Sequence, residues 1–144
     1  MKNSKFIRKK LFIFSINIPL LIFVGFLFNS QPPLLVISQR VHASEKKIKK
    51  DFDFYFDRGN KKQDSDDYKG SISDFTEAIK LKPDHAQTYL NRGKSKEFTG
   101  DIYGALEDYN KSIELDSTNP TVFNERGNIR GELGDLAGSI ADYT

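Results

Sequence analysis

The sequence has no cysteine and no tryptophan, and it contains one methionine and two histidines among 144 residues. The absence of cysteine excludes disulfide bonds and thiol chemistry. His42 and His85 stand far apart, and a single histidine in a loop is more often exposed than a ligand or a base, so no histidine pattern for a metal or catalytic site is present. We therefore expect no cofactor, no metal site and no enzymatic activity.

The first 44 residues contain no acidic residue. All 20 acidic residues follow, together with 16 of the 22 basic ones, so residues 44–144 carry a formal charge of −4. Proteins that bind nucleic acids present a basic surface to the phosphate groups. A mildly acidic folded part therefore argues against a nucleic-acid partner.

A long apolar run occupies residues 11–28, preceded by five positive charges and no negative charge in residues 1–10. In a helix, 18 residues extend for about 27 Å, which is close to the roughly 30 Å hydrocarbon core of a bilayer. Residues 1–28 are therefore predicted to form an N-terminal hydrophobic helix that acts as a membrane anchor or a signal peptide, with the membrane as partner through residues 11–28.

This segment has two possible fates. Val41 and Ala43, just before Ser44, suit a signal peptidase, which favours cleavage after Ala43. The length of the apolar run and its distance from Ala43 favour an uncleaved anchor instead. In both cases the basic flank stays on the cytoplasmic side, so the rest of the chain is expected to be membrane-anchored and to face the trans side, or to be exported.

Residues 29–51 are predicted to be an irregular tether. Pro32 and Pro33 end a helix, and no apolar period of 3.6 residues follows them before residue 51. The lysine-rich patch at residues 46–50 is suited to anionic lipid head groups, but a solvated linker is the simpler interpretation.

From residue 52 onward the sequence repeats every 34 residues. The repeated columns are Tyr55, Tyr89 and Phe123; Arg58-Gly59, Arg92-Gly93 and Arg126-Gly127; Asp67, Asp101 and Asp135; Gly70, Gly104 and Gly138; Asp74, Asp108 and Asp142; and Phe75, Tyr109 and Tyr143. A fixed period of roughly 20 to 50 residues is typical of solenoids, in which each unit buries its apolar face against its neighbours.

Each copy has the pattern of two helices. The first copy predicts one helix from Phe52 and a second from about Tyr68 to just before Pro83; the later copies predict the pairs 86–98 with 102–115, and 120–133 with 136 onward. The acidic run of Asp64, Asp66 and Asp67 lies in the turn between the first two helices. It lacks the glycine and the distal glutamate of a calcium loop, so it is interpreted as helix capping.

These columns resemble the tetratricopeptide repeat (TPR). Tyr55, Tyr89 and Phe123 match the bulky aromatic residue of its first helix and Gly59, Gly93 and Gly127 its small one; Ser71, Ala105 and Ser139, then Phe75, Tyr109 and Tyr143, then Ala78 and Ser112 match the small-aromatic-small series of its second helix. The Arg-Gly pairs, together with Gly100-Asp101 and Gly134-Asp135, look similar to repeats common in cyanobacterial proteins, which implies a periplasmic or thylakoid-lumen location.

The resemblance implies an all-α TPR-type helix-turn-helix solenoid. It divides the chain into the membrane segment 1–28, the tether 29–51, the complete repeats 52–85 and 86–119, and an incomplete third repeat at 120–144. Because the third repeat lacks its last positions, we expect that another chain could cover its open end, or that an enzymatic domain follows residue 144 and the repeats serve it as a targeting and interaction arm.

The arginine column departs from the family, which usually has a large apolar residue before its small one. In antiparallel helices this residue lies opposite the aspartate column. The sequence therefore predicts cross-helix ion pairs, namely Arg58 with Asp74, Arg92 with Asp108, and Arg126 with Asp142. A second basic column, formed by Lys62, Lys96 and Arg130, is interpreted as a solvated stripe.

The family uses the concave surface of its stacked first helices to hold a segment of another protein. The resemblance places nine residues on that surface, where asparagines suit a peptide backbone and Phe56 and Leu90 suit apolar contacts. They are Phe56, Asn60, Gln63, Leu90, Asn91, Lys94, Glu97, Asn124 and Asn128. The lysine clamp for a terminal carboxylate, known in chaperone-binding members, is not matched, because Phe56 replaces its first lysine and Asn60, Asn91 and Asn128 match only in part. The sequence thus predicts a non-enzymatic scaffold or assembly factor that binds a protein or peptide segment.

Overall fold

The computed structural model of this chain describes residues 33–144, which contain six helices and no strand. The helices are α1 (Pro33–Asp64), α2 (Tyr68–Leu81), α3 (Ala86–Phe98), α4 (Ile102–Leu115), α5 (Pro120–Glu132) and α6 (Leu136–Tyr143). Residues 41–144 form one compact unit, and a second unit comprises residues 1–40, of which the described part is the beginning of α1. The predicted pairing of helices from residue 52 onward is confirmed.

None of the helices between residues 33 and 144 is both long and apolar enough to cross a membrane. The predicted hydrophobic helix at residues 11–28 lies outside the described residues.

The helix α1 is much longer than the sequence predicted. The sequence predicted an irregular tether at residues 29–51. From Pro33 onward this prediction is wrong, because α1 begins at this residue and runs without interruption to Asp64. Proline suits the first turn of a helix, where its missing N–H would have no partner, and the next glycine or proline along the chain is Gly59. Pro33 therefore marks the beginning of a helix.

An aspartate begins the second helix of every repeat. The side chains of Asp67, Asp101 and Asp135 accept hydrogen bonds from backbone N–H groups three residues further on, at 3.0, 3.1 and 2.9 Å. Capping of this kind satisfies one of the unpaired N–H groups at a helix start. The capping role predicted for the acidic turn is thus confirmed for Asp67.

The turn before each cap needs a left-handed residue. Gly100 and Gly134 occupy this position with φ of 83° and 84°, and in the first repeat Asp66 occupies it with φ of 62°. Glycine adopts this conformation without steric cost, and aspartate tolerates it better than most residues. The repeats therefore share one turn geometry despite the different residue in the first.

The two helices of a repeat approach closely at the repeated glycine. A Cβ atom added to Gly93 would lie 2.6 Å from Cε1 of Tyr109, and one added to Gly59 would lie 2.6 Å from Cε1 of Phe75. Tyr109 and Phe75 are themselves fully buried. The glycine and aromatic columns thus form the interlocking contact that the sequence predicted.

The main apolar core lies between the second and third repeats, where α4 packs on α5. It consists of Leu90, Ala105, Tyr109, Val122 and Ile129. Each is nearly or fully buried, and Ile102, Leu106, Ile113 and Phe123 pack around them. Neighbouring repeats therefore share one core, as in other solenoids.

Candidate functional site

An arginine from the first helix and an aspartate from the second form a two-point ion pair in every repeat. The distances from Nε to Oδ2 are 2.7 Å for Arg58 and Asp74, 2.8 Å for Arg92 and Asp108, and 2.9 Å for Arg126 and Asp142. In each pair Nη2 also donates to Oδ1. These predicted pairs are confirmed.

A second basic residue contacts the same aspartates. Lys62 Nζ lies 3.0 Å from Asp74 Oδ2, and the matching contacts of Lys96 with Asp108 and Arg130 with Asp142 measure 3.0 and 2.9 Å. The interpretation of this column as a solvated stripe is therefore wrong. The signal was present in the sequence, because each of these residues follows the repeated arginine by four positions and so lies on the same helix face.

The buried carboxylate of Asp74 depends on these cations for its charge. The Arg58 guanidinium, which donates to Asp74, is the main cause that lowers the pKa of this carboxyl below its usual value, and Lys62 adds to the effect against the opposing effect of burial. Because each aspartate is enclosed by its own repeat, these ionic groups hold α1 to α2, α3 to α4 and α5 to α6.

Three carboxamide side chains form a continuous line across α1 and α3. Gln87 Nε2 donates to Asn91 Oδ1 at 2.7 Å, and Asn91 Nδ2 donates to Asn60 Oδ1 at 2.8 Å. Gln63 also links α1 to α3, because its Nε2 donates a hydrogen bond to the Asn91 carbonyl oxygen at 3.0 Å. We call the side of α1, α3 and α5 that carries Asn60, Asn91, Lys94, Asn124 and Asn128 the first-helix face. The sequence prediction omitted Gln87, although it precedes Asn91 by one helical turn.

Between α3 and α5 an ion pair occupies the place of the carboxamide pair. Lys94 Nζ lies 2.8 Å from Glu125 Oε1, and these residues are 34 positions beyond Asn60 and Asn91. Glu97 accepts a hydrogen bond from the buried Tyr109 hydroxyl at 2.8 Å. Lys94 and Glu97, both predicted to face a ligand, thus already have partners within the chain.

Phe56 and Leu90, the two apolar contacts predicted for the concave surface, differ in their exposure to solvent. Leu90 is only 2% exposed and belongs to the core, so its predicted role as an open apolar contact is wrong. Phe56 is partly exposed and packs against Phe52 and His85, with ring centroids 5.6 and 5.2 Å apart. Leu90 is buried because α3 is covered by neighbouring repeats.

His85 is also better enclosed than a loop histidine usually is. Its ring makes edge contacts with Phe52 and Phe56, and its Nδ1 lies 2.8 Å from Thr88 Oγ1. Burial lowers the pKa of His85 from its usual value, and the nearby Lys82 adds to this effect. These contacts give the imidazole a packing role at the start of α3.

The most accessible predicted residues lie on α5. Asn124 and Asn128 are both exposed, and Asn128 accepts a hydrogen bond from the Tyr143 hydroxyl. Asn124 lines a cavity of about 350 Å³ together with Phe123 and Tyr143. Asn124 is therefore well placed for contact with another molecule.

In the described residues 33–144, no three histidine, aspartate or glutamate side chains are grouped as a metal ion would require. The chemistry of the first-helix face is therefore that of amides, paired charges and partly covered aromatic rings.

Comparison with known proteins identifies one repeat directly. Residues 86–119 match the family described as tetratricopeptide repeat. These residues are α3, α4 and their connecting turns, which is the second of the predicted repeats. No curated protein sequence matches the chain.

Solved structures share the fold over most of the described chain. The second TPR of Spaghetti (RPAP3), bound to the HSP90 peptide SRMEEVD, is 24% identical with a TM-score of 0.67 over 74% of this chain and 92% of that one. The Arabidopsis OM64 TPR domain is 25% identical, with a TM-score of 0.62 over 65% and 77% of the two chains. The Sgt2 TPR domain from Aspergillus fumigatus is 22% identical, with a TM-score of 0.60 over 64% and 61%. Together with the helix pairs, these likenesses show a TPR-type solenoid.

Proposed function

We propose that this chain is a non-enzymatic scaffold or assembly factor that binds an extended segment of another protein along the first-helix face. The carboxamide line of Gln87, Asn91 and Asn60 carries this proposal. Its internal hydrogen bonds orient all three side chains and, within residues 33–144, leave the Asn60 amino group and the Gln87 carbonyl oxygen for a ligand. A donor and an acceptor held in fixed positions suit the alternating groups of a peptide backbone.

The chemistry of the face favours recognition of the peptide backbone over recognition of a terminal carboxylate. Lys94 lies on α3, the middle helix of this face, and its charge is compensated by Glu125 at 2.8 Å. Phe56 offers an apolar ring where a clamp would need a cation. The Spaghetti repeats, solved with an HSP90 peptide, support a peptide as the class of ligand. We propose a ligand without an obligatory C-terminal charge.

A site-specific photocrosslinker tests this proposal. The full chain carries the crosslinking amino acid either at Asn124, which is exposed on α5, or at Glu107, which is exposed on α4. We expect a partner adduct from position 124 and none from position 107. The additional change Asn60→Ala should lower the yield of the adduct, because it removes the donor left by the carboxamide line. Equal adducts from both positions would reject the first-helix face as the binding surface.

We further propose that the chain remains anchored in a membrane through residues 11–28, with its repeats on the trans side. The candidate cleavage site after Ala43 lies inside α1, so the backbone is helical on both sides of the bond that would be cut. Proteases cut exposed, extended segments far more readily than helices, which favours the anchor over the cleaved signal peptide. The mass of the chain recovered from membranes is the measurement: an intact N terminus is expected, and a chain that begins at Ser44 would overturn the anchor.

A further inference from the structure

Two aromatic rings stack on each other where the first repeat meets the second. Tyr68 is the first residue of α2 and Phe98 is the last residue of α3. Their ring centroids are 4.5 Å apart and their ring planes differ by 9°, yet Phe98 remains 68% exposed. The stack holds both rings in place and leaves much of Phe98 open to solvent. The pair therefore forms a fixed aromatic surface outside the core.

A cavity of about 340 Å³ lies beside this pair, and its lining adds Asp66, Asp67, Lys69 and Thr99 to the two rings. Asp66 Oδ1 accepts a hydrogen bond from the Tyr68 hydroxyl at 2.6 Å, and Asp67 Oδ1 caps α2. Among residues 33–144, no cation forms an ion pair with either aspartate, and Oδ2 of each has no hydrogen-bond donor. With Lys69 included, the lining carries one net negative charge.

Two residues of this cavity differ from their counterparts in the other repeats. Asp66 adopts a left-handed φ of 62°, whereas the later repeats make the same turn with glycine. Aspartate is strained in this conformation and glycine is not. Phe98 stands where the first and third repeats have the charged residues Asp64 and Glu132. The later turn forms without an aspartate and the other repeats end their first helix without an aromatic ring, so the repeat architecture requires neither Asp66 nor Phe98.

The chain itself shows which group suits an aspartate beside an aromatic ring. The Arg92 guanidinium donates two hydrogen bonds to Asp108, and its Cζ lies 5.6 Å from the ring centroid of Tyr89. The arginines of the other two repeats have the same kind of surroundings. A guanidinium is planar, so it can stack on a ring and donate to a carboxylate from its edge at the same time. The ammonium group of lysine has no such plane.

We propose that the cavity beside Tyr68 and Phe98 binds an arginine side chain of another protein, with the guanidinium against the aromatic pair and paired with Asp66 or Asp67. Ligand cavities in proteins usually measure roughly 300 to 1,000 Å³, so a volume near the lower limit suits a single side chain. The cavity shares no residue with the first-helix face, and this inference does not depend on the function proposed above.

Short peptides with blocked ends and a fluorescent label test the chemistry of the ligand. Gly-Arg-Gly is compared with Gly-Lys-Gly, which keeps the charge without the plane, and with Gly-citrulline-Gly, which keeps the shape without the charge. Titrated with the full chain in a mild detergent, the arginine peptide should bind at least about fivefold more tightly than the lysine peptide and at least about tenfold more tightly than the citrulline peptide. Equal binding of the arginine and lysine peptides, or no binding of the arginine peptide, would overturn the proposal.

Free arginine separates a protein ligand from a small molecule. It carries the same side chain together with a charged carboxylate and amino group. The blocked peptide should bind more tightly, because a carboxylate is repelled by the acidic lining. If unlabelled free arginine binds more tightly than the unlabelled arginine peptide, the cavity is a site for the amino acid, and a protein partner is rejected.

Variants of the chain test whether the arginine peptide binds in this cavity. Phe98→Leu keeps an apolar side chain but removes the ring, and Asp66→Gly removes a carboxylate; each should weaken binding about fivefold or more. Asp66→Gly introduces the residue that the later repeats have here, so its melting temperature should not fall. Asp64→Asn changes an exposed aspartate outside the cavity, and this control should alter the affinity less than about twofold. Equal losses for Asp66→Gly and Asp64→Asn would mean general attraction by negative charge and would overturn the proposal.

The first-helix face is the competing binding surface for these peptides. If Asn60→Ala abolishes binding of the arginine peptide while Phe98→Leu leaves it unchanged, the peptide binds the first-helix face and the cavity is rejected as an arginine site.

Discussion

Arg92 and Asp108 face each other across α3 and α4 through two parallel hydrogen bonds, with Nε 2.8 Å from Oδ2 and Nη2 2.7 Å from Oδ1. The Asp108 side chain is 5% exposed, and Lys96, one turn further along α3, contacts it at 3.0 Å. Such a carboxylate is stabilised only while both cations are present, because its hydration has been lost. The ion pairs thus serve the fold.

Asp108→Ala should lower the free energy of unfolding by about 3 kcal/mol, because it leaves Arg92 and Lys96 largely buried without their shared partner. Glu107→Ala, at the exposed neighbouring position on α4, is the matched control and should change it by less than about 0.5 kcal/mol. Urea unfolding of the full chain in a mild detergent, followed by circular dichroism, measures both values. Similar effects of the two variants would contradict the role of the buried carboxylate.

The first repeat should lose stability in acid because of Asp74. Its folded-state pKa is lowered, mainly by the hydrogen bond from Arg58, so the unfolded chain binds a proton more readily than the folded chain does. The resulting stabilisation is complete above the unfolded pKa of about 4 and is lost as the pH falls through the lower folded value. Asp74→Asn should therefore be less stable at pH 7 and less sensitive to pH below about 4. Unfolding midpoints between pH 7 and pH 2.5 test this; parallel curves for both proteins would contradict it.

Two glycines of α3 and α5 should respond in opposite directions to alanine. At Gly93 the new methyl group would lie 2.6 Å from Cε1 of buried Tyr109, so α3 and α4 must separate, and a loss of about 2 kcal/mol is expected. At Gly131 the nearest atom is Ser139 Oγ at 3.4 Å, and the better helix propensity of alanine should stabilise the protein by about 0.5 kcal/mol. Thermal melts of both variants provide the comparison. If both alanine variants were destabilised by the same amount, the close contact of Gly93 with Tyr109 would not explain the loss.

The ion pairs could be predicted from the sequence because the period fixes which residues face each other. An arginine and an aspartate recur at the same spacing along the sequence in every copy, as Arg92 and Asp108 do in the second. Antiparallel helices joined by a short turn bring these two columns together. The same logic accounts for Gly93 beside Tyr109. In a repeat protein each contact within a unit appears several times in the sequence, so a chance pattern is easily recognised as such.

Contacts between repeats were harder to predict, because they depend on how one helix pair stacks on the next. Leu90 shares its column with Phe56 and Asn124, yet Leu90 is buried, Phe56 is partly exposed and Asn124 is exposed. The column alone does not say how deeply each copy is covered. The first part of α1 was missed for a different reason. Residues 33–51 show no apolar period of 3.6 residues, and helix propensity without interruption by glycine or proline decided their conformation.

The burial of Leu90 leads to a prediction that separates a core residue from a binding residue. Leu90→Ala should lower the free energy of unfolding by about 3 kcal/mol, since it removes a large side chain from the core shared by α3, α4 and α5 and leaves a cavity. Leu90→Met keeps nearly the same volume and should cost less than about 1.5 kcal/mol.

Asn124→Ala is the control for surface position, because its side chain is exposed and its loss should change the free energy of unfolding by less than about 0.5 kcal/mol. Urea unfolding of the three variants gives this ranking directly. If Leu90→Ala unfolds at the same urea concentration as Asn124→Ala, then Leu90 is not held in the core, and the apolar contact with a ligand that its column suggested would again be the better explanation. The expected ranking, with Leu90→Ala far below the other two, would restrict ligand contacts to the polar and aromatic residues of the first-helix face.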